Sequence, residues 1–73
     1  MLYGEVLDRF IHESGLSRAE VARRVGIGRS QITDLINGRT GEPSISKAKA
    51  IADALGVSVQ SFIDAMEEES QEK

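Results

Sequence analysis

Apolar residues recur in steps of three and four from the first turn of the chain onward. Val6, Leu7, Phe10 and Ile11 form one such stripe, and Ser14-Gly15 stops it, so the pattern predicts helix 1 near residues 3–13. Ser17-Arg18-Ala19-Glu20 has the form of a capping box, with hydroxyl and carboxylate each serving a free backbone N–H at a helix start. Helix 2 then covers about 18–25, with Val21, Ala22 and Val25 inward. Gly26 follows, where a residue able to take positive φ ends a helix. Helix 3 spans about 29–36 on Ile32, Leu35 and Ile36 and closes at Asn37-Gly38. The aperiodic stretch Arg39 to Pro43 reads as a loop. Ser44 caps helix 4, whose stripe is Ile45, Ala48, Ile51, Ala52 and Leu55 and whose stop is Gly56. Ser58 then caps helix 5 over about 59–67, with Val59, Phe62, Ile63 and Met66 on one face. No stretch alternates with period two long enough for a strand, so the expected fold is all-α, a compact bundle of five helices.

Seventy-three residues make one small domain, here residues 1–66, followed by an acidic tail over 67–73 that is expected to be flexible. A domain of this size buries only about 60% of the surface its unfolded chain exposes. With no cysteine, stability must come from packing and caps, and a reducing, cytoplasmic setting fits. The longest apolar run is three residues, Ala50 to Ala52, far short of the ~20 that span a bilayer. Glu5, Asp8 and Arg9 interrupt any signal-peptide core after Met1, so a soluble, unprocessed protein is expected.

The net charge of −3 argues at first against a polyanionic partner. Its distribution changes that. Residues 1–66 carry 8 Lys/Arg and 8 Asp/Glu, whereas residues 67–73 hold four Glu and one Lys, which accounts for all the excess. Within residues 17–39, Arg18, Arg23, Arg24, Arg29 and Arg39 stand against Glu20 and Asp34, a local balance of +3.

The span Arg18 to Leu35 resembles a helix-turn-helix. Ala22 is small where the two helices would cross, and Gly26 permits the tight turn. Val21, Val25, Ile27, Ile32 and Leu35 would lock the pair together. With one helix before it and two after, joined through Pro43-Ser44 and Leu55-Gly56-Val57-Ser58, the layout over residues 3–66 resembles the Xre family of phage repressor and Cro-like domains. That resemblance implies a lambda-repressor-like fold and sequence-specific binding of double-stranded DNA.

In such domains the N-terminal part of helix 3 meets base edges in the major groove. Carried over, the base readers are Arg29, Ser30, Thr33 and Asp34. Helical spacing independently places these four outward when Ile32, Leu35 and Ile36 face inward. Arg29 is the leading candidate, since a guanidinium can bridge guanine O6 and N7. Asp34 either accepts from cytosine N4 or hydrogen-bonds Ser30 one turn earlier. Gln31 should point partly sideways. Phosphate contacts are expected at the start of helix 2, from Ser17 and Arg18, where backbone amides and the helix dipole favour an anion. The resemblance adds Asn37, Arg39, Thr40 and Ser44 around the loop after helix 3; Asn37 can equally be a helix-ending residue tolerant of positive φ.

One recognition helix reads few base pairs, so a homodimer on an inverted-repeat operator, a repressor, is the expected form. Phe62 should be internal and Val59 partly so, while Ile63 and Met66 pair across the dimer. The competing reading is a protein-interaction module of the same fold, an antitoxin-like or adaptor protein, for which the Glu67-Glu68-Glu69 run would suit a basic partner. Enzymatic function is not expected. His12 is the single histidine, and no nucleophile, metal cluster or phosphate-binding glycine loop accompanies it. No cofactor, metal or small-molecule ligand is implied by the sequence.

Overall fold

The computed structural model describes residues 2–71. It contains α1 (Leu2–Ser14), α2 (Arg18–Val25), α3 (Arg29–Asn37), α4 (Ile45–Leu55) and α5 (Val59–Gln71), with no strand among the described residues. The five expected helices are all present, and four of them end within one residue of the predicted bounds. The fifth does not. It continues through Gln71, so the part of the expected flexible tail over 67–71 is helical. Glutamate and glutamine are good helix formers, and neither Gly nor Pro follows Met66 to stop the turn. Residues 72–73 of that tail lie outside the described residues.

The caps show how the chain punctuates itself. The Ser17 hydroxyl accepts from the Glu20 amide at 3.0 Å, Ser44 from Lys47 at 3.4 Å and Ser58 from Ser61 at 3.1 Å. Only half of the expected capping box at Ser17 forms, because the Glu20 carboxylate turns instead to Arg23 and Arg24. Gly26 at φ 92° and Gly38 at φ 77° end α2 and α3 in the left-handed region, where a side chain is strained. Asn37 stays helical, which removes the positive-φ role from it and gives that role to Gly38.

α1 packs against α3 and α5, while α2 lies against α3 and α4. The fully buried centre is Val6 and Leu7 of α1, Val21 of α2, Ile32 of α3 and Ile51 of α4. Each such side chain contributes about 1.5–3 kcal/mol relative to exposure. Phe62 of α5 is the aromatic hub: Tyr3 stacks on it with ring centroids 5.3 Å apart, and Phe10 meets it edge-on at 4.7 Å. Among the described residues the buried Tyr3 hydroxyl has no hydrogen-bond partner, an arrangement that costs about 1–3 kcal/mol. Burial, and secondarily the charge of Glu42, push the Tyr3 phenol up to about 12.

Sequence periodicity gave no role to Gly4, and the structure gives it one. It is buried on α1 where the helix crosses the end of α3, and a Cβ there would stand 2.3 Å from the carbonyl oxygen of Ile36 and 2.6 Å from that of Leu35. α1 can approach α3 this closely only because the residue has no side chain.

Candidate nucleic-acid interface

α2 and α3 are joined by three residues, and Ala22, the small residue the helix-turn-helix pattern requires, is 2% exposed. The turn is fastened by backbone: the amides of Gly26 and Ile27 both donate to the Ala22 carbonyl, at 2.8 and 3.0 Å. Ile32 and Leu35 bury the inner face of α3, which fixes the opposite face outward.

That outward face begins at Gly28, the N-cap. Having no side chain, Gly28 cannot cap the helix itself, and its own amide donates to Gln31 Oε1 at 3.3 Å. Gln31, expected to point partly sideways, is thus turned back toward the helix start. Arg29 and Ser30 are exposed in the first turn, with Thr33 and Asp34 half-buried one turn later. Among the described residues the Ser30 hydroxyl and the Asp34 carboxylate share no hydrogen bond, so the local pairing considered for them is not made. Asp34 instead lines a groove of about 380 Å³ between α3 and the start of α4, together with Thr40, Ser44 and Lys47. The groove brings three of the expected site residues to one place and adds Lys47. Sequence reading passed over Lys47, although its position three residues after the cap Ser44 was a usable signal.

The cations divide into two groups. Arg18 is held by Asp8 of α1, Nη2 to Oδ1 at 3.3 Å, a link that ties the start of α2 to α1. Arg23 and Arg24 both engage Glu20, at 2.6 and 3.0 Å. Arg29 and Arg39 have no ion pair among the described residues. The local excess of +3 therefore overstates the charge available: three of the five arginines answer carboxylates on their own surface, and two are left to meet an external anion. Side-chain hydrogen bonds from Arg23 and then Arg24 hold the Glu20 carboxyl below its ordinary value of 4.5.

A depressed carboxylate contributes stability above its unfolded pKa and loses that contribution as pH falls through the folded value. An NMR titration of the Glu20 side-chain carboxyl is accordingly expected to have its midpoint below 4.5. The double variant Arg23→Ala/Arg24→Ala returns it to the ordinary value. A wild-type midpoint at or above 4.5 would show that the guanidiniums do not hold it.

Of the remaining expected contacts, the Ser17 oxygen is engaged as cap acceptor, which leaves its proton free to donate outward. Asn37, Arg39 and Thr40 are exposed beyond the buried part of α3. On α5, Phe62 is internal as expected, and Ile63 is 42% exposed. Val59 and Met66 are half-buried and packed on the core, so Ile63 alone of the three expected interface residues stands clear of it.

The family model described as helix-turn-helix matches residues 10–62. A search of the curated proteins gives no match. Among solved structures, the crystal structure of the clp gene regulator ClgR from C. glutamicum is similar in fold, with a TM-score of 0.90 at 22% identity, covering 99% of this chain and 92% of that one.

Proposed function

The chain belongs to the helix-turn-helix family of DNA-binding regulators, and from that premise we propose that it acts in the cytoplasm as a repressor, binding an inverted-repeat operator as a homodimer. The observation that carries this reading is the state of Arg29: exposed in the first turn of the second motif helix, with no acidic partner among the described residues, while three neighbouring arginines are engaged. A guanidinium that no carboxylate occupies keeps its paired N–H donors available to bridge guanine O6 and N7.

Ser30, Thr33 and Asp34 complete the reading face in this proposal, Asp34 by accepting from cytosine N4. Ser17, Asn37, Arg39, Thr40 and Ser44 hold phosphates and so fix register, not sequence. Arg18 joins them only by exchanging Asp8 for a phosphate. A second copy related by two-fold symmetry places its α3 one helical turn away, about 34 Å along the duplex. Ile63, flanked by Val59 and Met66, supplies the contact between copies. A dimer seated across a promoter excludes polymerase by occupancy alone, which makes repression the simplest outcome.

Selection of bound sites from random duplex DNA tests the proposal. An enriched inverted repeat is expected, with affinity falling by orders of magnitude between ~50 and ~200 mM salt as counterions are released. Ile63→Glu should keep the helical fold and lose cooperative occupancy of the two half-sites. No enrichment even at low salt would replace the DNA reading with a protein partner.

A further inference from the structure

On the side of the molecule formed by the start of α1, the Glu42–Ile45 segment and α5, a second cleft of about 230 Å³ opens. Its walls are almost wholly apolar: the rings of Tyr3 and Phe62, with Ile45, Val59, Ile63 and Met66 around them. Two of these are the exposed large hydrophobic side chains among the described residues, Ile45 at 87% and Ile63 at 42%. Two residues of this lining carry polar groups, Tyr3 and Glu42. Tyr3 is only 7% exposed, and its buried hydroxyl has no hydrogen-bond partner among the described residues. Glu42 is exposed on the loop before α4, its carboxylate makes no hydrogen bond among the described residues, and its charge is felt at the Tyr3 phenol.

An unpartnered hydroxyl in an apolar wall asks for a hydrogen-bonding group that arrives with apolar surface around it. The Glu42 carboxylate on the same cleft accepts hydrogen bonds only, so it repels an anion and favours a neutral group with an N–H to give. A carboxamide meets both demands, its oxygen accepting from Tyr3 and its N–H donating to Glu42. A dry apolar cavity of ~150 Å³ holds benzene, so this volume suits one ring with a small substituent. We propose that the cleft is a binding site for a small neutral molecule consisting of an apolar ring that bears a carboxamide. The occupant reaches the shielded hydroxyl as the loop carrying Glu42 shifts, and its N–H takes the Glu42 carboxylate as acceptor in that shifted position. The site shares Val59, Ile63 and Met66 with the proposed contact between copies, so occupant and second copy compete for it. The inference stands on the cleft alone and does not depend on DNA binding.

Benzamide serves as the probe, with toluene and benzoate as comparisons, in ¹H–¹⁵N NMR titrations of the full chain. Saturable shifts at Tyr3, Glu42, Ile45 and Ile63 are expected with benzamide in the millimolar range, and benzoate should bind at least tenfold more weakly. Tyr3→Phe keeps the ring stacked on Phe62 and the fold, as circular dichroism will register; it should weaken benzamide several-fold and leave toluene unchanged. Glu42→Gln, on an exposed loop, should narrow the gap between benzamide and benzoate. The proposal is overturned if wild type shows no saturable shift, or if Tyr3→Phe binds benzamide as wild type does. It is equally overturned if those signals move with protein concentration alone and ignore benzamide, which would put a second copy in the cleft.

Discussion

Gly4→Ala lowers the thermal midpoint of this protein by roughly 4–16 °C, although the same exchange in an exposed helix raises stability. Alanine is the better helix former by about 1 kcal/mol, so propensity alone predicts a gain. The methyl group, however, would sit 2.3 and 2.6 Å from two backbone carbonyl oxygens at the end of α3. A flexible side chain could swing aside, whereas a carbonyl within a helix cannot move without its neighbours. Overpacking of this kind costs about 1–3 kcal/mol, and contacts this short place it at about 2–3 kcal/mol. Less the propensity gain of about 1 kcal/mol, a net loss of about 1–2 kcal/mol remains, and each kcal/mol moves the midpoint of a domain this small by about 4–8 °C. Because the displaced element is the proposed reading helix, DNA affinity should fall further than the loss of folded protein explains. Circular dichroism melts of the two proteins decide the matter: a variant that melts at or above wild type would mean that α1 and α3 do not approach in this way.

Arg29→Ala is expected to leave the melt almost unmoved and to reduce affinity for the selected operator by roughly 10- to 100-fold, the equivalent of about 1–3 kcal/mol for one bidentate guanine contact. The two effects separate because the Arg29 side chain is exposed and makes no hydrogen bond or ion pair among the described residues, so folding gains nothing measurable from it. Arg39→Ala provides the contrast. A phosphate contact is lost equally on every sequence, so specific and random DNA should weaken together and the salt slope should become shallower by about one. Fluorescence anisotropy on the selected site and on a scrambled duplex distinguishes these patterns. If Arg29→Ala weakened both duplexes alike, the residue would be a phosphate contact and not a reader.

These expectations rest on features of unequal visibility in the sequence. The helices were legible because each apolar stripe ends at a stop that chemistry makes unambiguous: Ser17, Ser44 and Ser58 cap as read, and Gly26 and Gly38 take positive φ. Helix 5 ran long because a stretch rich in glutamate offers no breaker, and acidity by itself does not unwind a helix. The inward positions Ile32 and Leu35 followed from spacing, and with them the outward set of Arg29, Ser30, Thr33 and Asp34. Charge was harder to read. A sum over residues 17–39 counts Arg18 as available, yet its partner Asp8 lies ten positions away on another helix, and local arithmetic has no access to that pair. Gly4 was hidden for a related reason, since a glycine near a helix start announces nothing until a second helix is laid across it. Lys47 entered the groove beside Asp34 through the fold of the loop between α3 and α4, which carried no periodic signal.

The way α3 is held has an evolutionary consequence. Its stability comes from Ile32 and Leu35 underneath and from backbone bonds at its two ends, through Gly28 and Gly38. Among the described residues the side chains of Arg29, Ser30 and Thr33 make no hydrogen bond. Selection can therefore rewrite those three positions with little penalty in folding, and under the proposed reading role duplicated genes of this design would diverge in the addresses they recognise while inheriting one unaltered scaffold.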